Sequence, residues 1–188
     1  MAEQTIKQGG VVFGARFDEN WEVKHDYTET IDGVSVFRGS KYVQSKTGDT
    51  FKQAEQFLKQ NRKVLFSGTP CQIVALKRYL KKEYENLLLV DFICHGVPSP
   101  GVWRKYLKQV IALTCDKNTV SSHLKLLLSE RNALVEGISF RDKRLGWQKY
   151  SFSLTLSTTD ESGNKNTVSL SESLNENLFM RGFLANLY

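Results

Sequence analysis

Arg62-Lys-Val-Leu-Phe-Ser-Gly-Thr-Pro-Cys-Gln-Ile-Val-Ala-Leu-Lys-Arg-Tyr-Leu80 decides the fold. Val64 to Ser67 is an apolar run too short for a helix and closed by a glycine, so it reads as a buried strand. Gly68 turns the chain. Thr69 stands at a helix N-cap position, and Pro70 falls at the first helical residue, where its missing N–H costs nothing. Ile73, Leu76 and Leu80 then recur at helical spacing and make one apolar face. Cys71 and Gln72 therefore lie in the first helical turn. Free backbone N–H groups and the positive end of the helix dipole there favour an anion or a thiolate. The same pattern also describes a well-capped helix in which Cys71 is a small filler.

A second copy of this pattern follows. Leu87 to Ile93 reads as an apolar strand that ends in Cys94-His-Gly-Val-Pro-Ser-Pro100. Ser99 is a natural N-cap and Pro100 a natural first helical residue. Trp103, Tyr106, Leu107, Val110 and Ile111 share one face of the helix expected next. Two such strands in a parallel pair would bring both cysteine-bearing turns to one carboxyl edge, where open α/β sheets bind ligands.

Upstream, Val11 to Asp18 reads as a strand. Glu19-Asn20 makes a turn, and Trp21, Val23, His25 and Tyr27 alternate on one face, giving a β-hairpin. His25 on such a face reads as a satisfied, half-buried side chain. Phe37 to Ser45 reads as a loop in which Ser40, Lys41 and backbone N–H groups could grip a phosphate. Asp49 is placed to cap a helix to about Asn61, with Phe51, Ala54, Phe57 and Leu58 inward. Downstream, a short helix fits Leu124 to Leu128, and Cys115 carries no motif. Val135 to Phe140 reads as a strand and Arg141 to Trp147 as a charged turn. Tyr150, Phe152, Leu154 and Leu156 mark a further strand. A polar loop at Thr158 to Asn166 and a return strand at Thr167 to Leu170 follow. Ser171 or Ser173 is the expected cap of a last helix bearing Leu174, Leu178, Phe183 and Leu187.

The expected architecture is a single α/β domain over residues 1–188, with a mostly parallel central sheet, flanking helices and an antiparallel hairpin portion. The chain has 188 residues and is 40% hydrophobic, enough for a real core. No apolar run approaches the roughly 20 residues of a membrane span. The first ten residues contain no signal-peptide apolar region. Three cysteines at irregular spacing argue against a disulfide framework and for a reducing, cytoplasmic setting. The net charge of +6 is spread among acids rather than gathered in a basic arm, so nucleic acid is not an expected partner.

The motifs leave several chemistries open. Cys71 with His95 could form a nucleophilic pair, as in a cysteine-dependent acyl or glycosyl transferase, though no third orienting group is evident. Zinc is a poor fit, because Cys71, Cys94 and His95 lack the usual C-x-x-C spacing. An iron–sulfur cluster needs four thiolates as a rule, and the two turns would supply half.

The chain resembles the coenzyme F-420 hydrogenase/dehydrogenase beta-subunit family, in a form like its bacterial branch. The resemblance is carried by Gly9-Gly-Val-Val-Phe-Gly-Ala15, Arg38-Gly-Ser-Lys-Tyr-Val-Gln-Ser45, Leu65-Phe-Ser-Gly-Thr-Pro-Cys-Gln-Ile73, Cys94-His-Gly-Val-Pro-Ser-Pro100 and Ile138-Ser-Phe-Arg-Asp-Lys-Arg-Leu-Gly-Trp147, in order along nearly the whole chain. It implies an electron-transfer oxidoreductase core with FAD and a neighbouring 4Fe-4S cluster. It implies Cys71 and Cys94 as cluster ligands, and Ser40, Lys41, Tyr42, Thr69, Pro70, Cys71 and Gln72 as FAD contacts. It further implies a redox partner protein or ferredoxin-like domain as electron donor, and a deazaflavin or similar acceptor. The family's upstream cysteine-rich segment and its later C-x-x-C pair are not in this sequence. The expectation is therefore a shortened core that holds no intact cluster by itself. A non-catalytic remnant or interaction domain, associating with itself or a partner through an exposed apolar seam, is the alternative of a different class.

Overall fold

A computed structural model describes residues 1–116, 134–144, 146, 150–159 and 165–184. The chain divides into two compact units, Met1–Pro100 and Gly101–Tyr188.

The first unit holds a four-stranded sheet built from β1 (Val11–Phe17), β2 (Val23–Thr28), β3 (Val64–Gly68) and β4 (Leu87–Asp91), in the order β2-β1-β3-β4. β1 and β2 form the antiparallel hairpin, while β1/β3 and β3/β4 are parallel. The expected α/β class, mostly parallel with an antiparallel portion, is what the chain adopts. The helices are α1 (Ala2–Lys7), α2 (Thr50–Lys59) and α3 (Pro70–Leu80), with a 3₁₀ helix at Asp32–Phe37. Val11, Phe13, Val64 and Phe66 on one sheet face meet Ala54 and Leu58 of α2 and Ile73, Leu76 and Leu80 of α3. Apart from Ala54, each such side chain contributes about 1.5–3 kcal/mol when fully buried. The 3₁₀ helix lies against β1, where Gly14 lets Phe37 come close: a Cβ on Gly14 would fall 2.8 Å from the Phe37 ring.

The second unit contains α4 (Pro100–Asp116), which starts at Pro100 as expected. It also contains an antiparallel sheet of β5 (Leu134–Asp142), β6 (Ser151–Thr159) and β7 (Lys165–Ser173), and a last helix, α5 (Leu178–Leu184). Trp103 and Tyr106 of α4, Phe140, Phe152 and Phe179 form an aromatic cluster with ring centroids 5.0–6.3 Å apart.

Several expectations need correction. Trp21 is in the hairpin turn, with φ 59°, and not on the strand face. β4 stops at Asp91, because its partner β3 ends at Gly68, so Phe92 and Ile93 stand 57% and 89% exposed. Arg141 and Asp142 extend β5 instead of opening a turn. β7 is longer than foreseen and absorbs Ser171 and Ser173. α5 is capped by Asn177, whose Oδ1 accepts the Met180 N–H at 3.0 Å. The helix foreseen at Leu124–Leu128, much of the loop after Thr158, the Cys115 side chain and Leu187 lie outside what is described.

Candidate functional site

The β3–β4 pair is parallel from Val64↔Leu87 to Gly68↔Asp91. Each strand then leaves the sheet at the same, carboxyl, edge. Cys71 follows Gly68 by three residues, and Cys94 follows Asp91 by three. Cys71 is exposed at the second residue of α3, and Cys94 is half-buried; neither is in a disulfide. The backbone N–H of Gly96 donates to Cys94 Sγ at 3.4 Å, allowed by the positive φ of Gly96 (103°). A thiolate accepts such a bond more strongly than a thiol.

The loop carrying Ser40, Lys41 and Tyr42 reaches both cysteine turns. The Gln44 N–H donates to Pro98 O at 3.0 Å, in the Cys94 turn. Gln72 Nε2 donates to Ser45 Oγ at 2.9 Å, in the Cys71 turn. Val43, nearly fully buried, anchors the loop between them. Three stretches separated in sequence thus converge at one edge.

Lys41 is half-buried. Its Nζ donates to Arg38 O at 3.0 Å, Gly39 O at 3.2 Å and Phe37 O at 3.4 Å, and it lies 6.0 Å from the Phe17 ring centre. Burial lowers its pKa to about 8. Ser40 is exposed and Tyr42 half-buried. Among the described residues the ammonium is met by carbonyl dipoles and by no carboxylate, surroundings that suit a neighbouring anion such as a phosphate.

Thr69, Pro70 and Gln72 are half-buried. The Thr69 N–H and Oγ1–H donate to Gln72 Oε1 at 3.0 and 3.2 Å. The Gln72 side chain is therefore spent on the turn itself, between Thr69 and Ser45. Pro70 at the first helical position fixes the turn without needing a hydrogen bond.

Sequence reasoning left His25 outside the site. The ring is 5% exposed, stacked on Phe66 with centroids 5.4 Å apart. Its Nε2–H donates to Ser67 O at 3.0 Å, and Nδ1 lies 2.8 Å from Ser45 Oγ. It is satisfied, as read from the sequence, but buried rather than half-buried, and its partners are the site's own loops. Both nitrogens being engaged, it is not free to act as a base for Cys71. His95, beside Cys94, is exposed.

Among the described residues, no group of three or more His, Cys, Asp or Glu side chains is gathered for a metal. The thiols of Cys71 and Cys94 are two donors, half of what a 4Fe-4S cluster takes. A hollow of about 320 Å³ lies at the other end of the sheet, lined by Gln4, Gln8, Lys63, Asn86 and Leu87. Its Lys63 and Asn86 are committed to Gln8 and to the carbonyls of Leu58 and Arg62.

An open α/β sheet with its polar and thiol groups collected at the carboxyl edge is a ligand-binding architecture. Residues 61–161, just over half of the chain, match the family described as the C terminus of the Coenzyme F420 hydrogenase/dehydrogenase beta subunit, and the chain belongs to that family. It is thus an oxidoreductase-associated subunit domain. No curated protein matches it. Among the described residues, no helix is long and apolar enough to cross a membrane.

Proposed function

We propose that this chain is the core of a flavin and iron–sulfur electron-transfer oxidoreductase, incomplete by itself and working with a redox partner or ferredoxin-like domain in the cytoplasm. One observation carries the reading: the loop with Lys41 is hydrogen-bonded to both cysteine turns, through Gln44 to Pro98 and Ser45 to Gln72. Lys41 and Ser40 would face the FAD phosphates, with the Thr69–Gln72 turn and its α3 N–H groups alongside and Tyr42 next to the ring system. Cys71 and Cys94 would give two thiolates to a 4Fe-4S cluster, the remaining ligands coming from elsewhere. When bound, the cluster would pass electrons singly and the flavin would pair them for a two-electron acceptor.

The test is the absorbance of the freshly purified protein, followed by anaerobic reconstitution. A flavin band near about 450 nm, with fewer than four irons per chain after iron and sulfide treatment, is the expected outcome. A stoichiometric cluster on the isolated chain would refute the incompleteness. A second reading, a non-catalytic interaction domain that keeps the fold without its cofactors, is favoured by the exposed Phe92 and Ile93 beside Cys94. A protein that takes up neither flavin nor iron would select it.

A further inference from the structure

The contacts of His25 fix the direction of every hydrogen in a chain that ends at the Cys71 turn. Ser67 O can only accept, so His25 Nε2 carries the proton. A neutral ring then leaves Nδ1 as an acceptor, and the Ser45 hydroxyl must donate to it. The lone pairs of Ser45 Oγ are left for the Gln72 amide N–H. That orients the amide, so Gln72 Oε1 faces the Thr69 N–H. Gly68 leaves room at the crossing: a Cβ there would lie 3.1 Å from Gln72 Oε1, a tight contact, and 3.5 Å from His25 Nε2, an ordinary one.

We infer that His25, Ser45 and Gln72 are positioning residues, a one-directional hydrogen-bond chain from β2 that holds the Thr69–Gln72 turn, and Cys71 with it, against the 38–46 loop. The inference rests on the proposed function only in treating that edge as the cofactor site. Burial opposes the charged form of the ring and outweighs the Ser67 carbonyl, whose hydrogen bond alone favours it. Lys24 and Asp26 flank it on β2 and alternate to the other face. Asp26 is paired with Arg16 of β1 at 2.8 Å. Lys46 contributes its backbone O to the His25 N–H at 2.9 Å. The residues met from β3, Phe66 and Ser67, are uncharged, as are Ser45 and, beyond it, Gln72 of α3. Burial accordingly holds the imidazole below its usual range.

The direction of the chain makes the role testable. In Gln72→Glu the carboxylate only accepts, so Ser45 must turn its proton toward residue 72. Nδ1 must then donate to Ser45 while Nε2 still donates to Ser67, and the ring becomes an imidazolium. A side chain that merely fills space would produce no such change. Nitrogen-15 labelling of histidine in the full chain reads it by NMR, with exposed His95 as internal reference. The wild-type protein is expected to show a neutral Nε2–H ring, and Gln72→Glu a proton affinity raised roughly tenfold or more. A wild-type Nδ1–H ring, or an unshifted His25 in folded Gln72→Glu protein, overturns the inference. Flavin affinity gives a second arm: His25→Leu should lose roughly tenfold or more, and His25→Gln, which keeps one donor and one acceptor, should recover most of it. Equal affinity in His25→Leu and wild type also overturns it. A wild-type chain that takes up no flavin defeats the proposed function alone, because the histidine signature is read without cofactor.

Discussion

Gly68 and Asp91 are the last Cα partners of the parallel β3–β4 pair, and a cysteine follows each of them at the same distance along the chain. Adjacent strands run about 4.8 Å apart, so the two turns start as neighbours. If Cys71 and Cys94 hold one cluster, removing either should abolish iron uptake, and the double change should add nothing further. Iron per chain after anaerobic reconstitution of Cys71→Ser, Cys94→Ser and the double variant checks this. Independent, additive losses would mean that the thiols do not share a metal site.

Gly10 is held by packing rather than by its dihedral angles. A Cβ at this position would lie 2.6 Å from Thr5 Cγ2 and 2.7 Å from the carbonyl oxygens of Thr5 and Lys63. Those carbonyls accept the N–H groups of Gly10 and Val11, so they cannot withdraw without breaking the α1–β1 and β1–β3 junctions. Gly10→Ala should destabilise the protein by about 3 kcal/mol. Gly9 has a φ of 74° but open space around it, and Gly9→Ala should cost only about 1 kcal/mol. Urea unfolding of both variants provides the comparison.

The carboxyl edge was legible because its signals are local. Gly68, Thr69 and Pro70 punctuate a strand-to-helix turn within three residues, and the Cys94–Pro100 stretch repeats the device. What was missed depends on distant partners. The 3₁₀ helix has no apolar period of its own; it lies where Gly14 makes room for Phe37. The end of β4 is set by the end of β3, so the apolar Phe92 and Ile93 could not extend it. Ser171 and Ser173 are good caps in isolation, but nine paired positions with β6 claim them for a strand, and Asn177 takes the capping role. The partners of His25 lie 20 and 42 positions away. No window along the chain contains them, although Ser45 closes the Arg38–Ser45 motif and Gln72 falls at the end of the Leu65–Ile73 one.

Lys41 should announce its surroundings through pH. Its folded pKa of about 8 is below the roughly 10.4 of an unfolded lysine. Between those values the unfolded chain binds more protons, so this group makes the fold more stable as pH rises through that window, and adds its full penalty below it. Competitive amine labelling should give Lys41 a half-point near pH 8, below the exposed lysines. A phosphate-bearing flavin bound beside it would favour the ammonium and move the half-point upward. An unchanged half-point in flavin-saturated protein would separate Lys41 from the phosphates.

Asn177 is fully buried, and its side chain makes three hydrogen bonds at once. Its Nδ2 donates to Tyr106 Oη at 2.6 Å and to Glu172 Oε2 at 2.9 Å, while Oδ1 caps α5. Tyr106 is held in the neutral form, its pKa pushed up to about 12 by burial. Asn177→Ala removes the cap and leaves the Tyr106 hydroxyl and the Met180 N–H without these partners, a loss of about 3 kcal/mol. Asn177→Asp keeps the cap but replaces the donor facing Glu172 with a second carboxyl. Burial and that neighbour would raise the new group's pKa in the folded state above its unfolded value. The unfolded chain would then release its proton first, so the defect in Asn177→Asp should be small near about pH 4 and grow as pH rises toward about 7. Asn177→Ala should show no such dependence. Thermal unfolding of both variants across that range distinguishes a lost cap from a buried charge conflict.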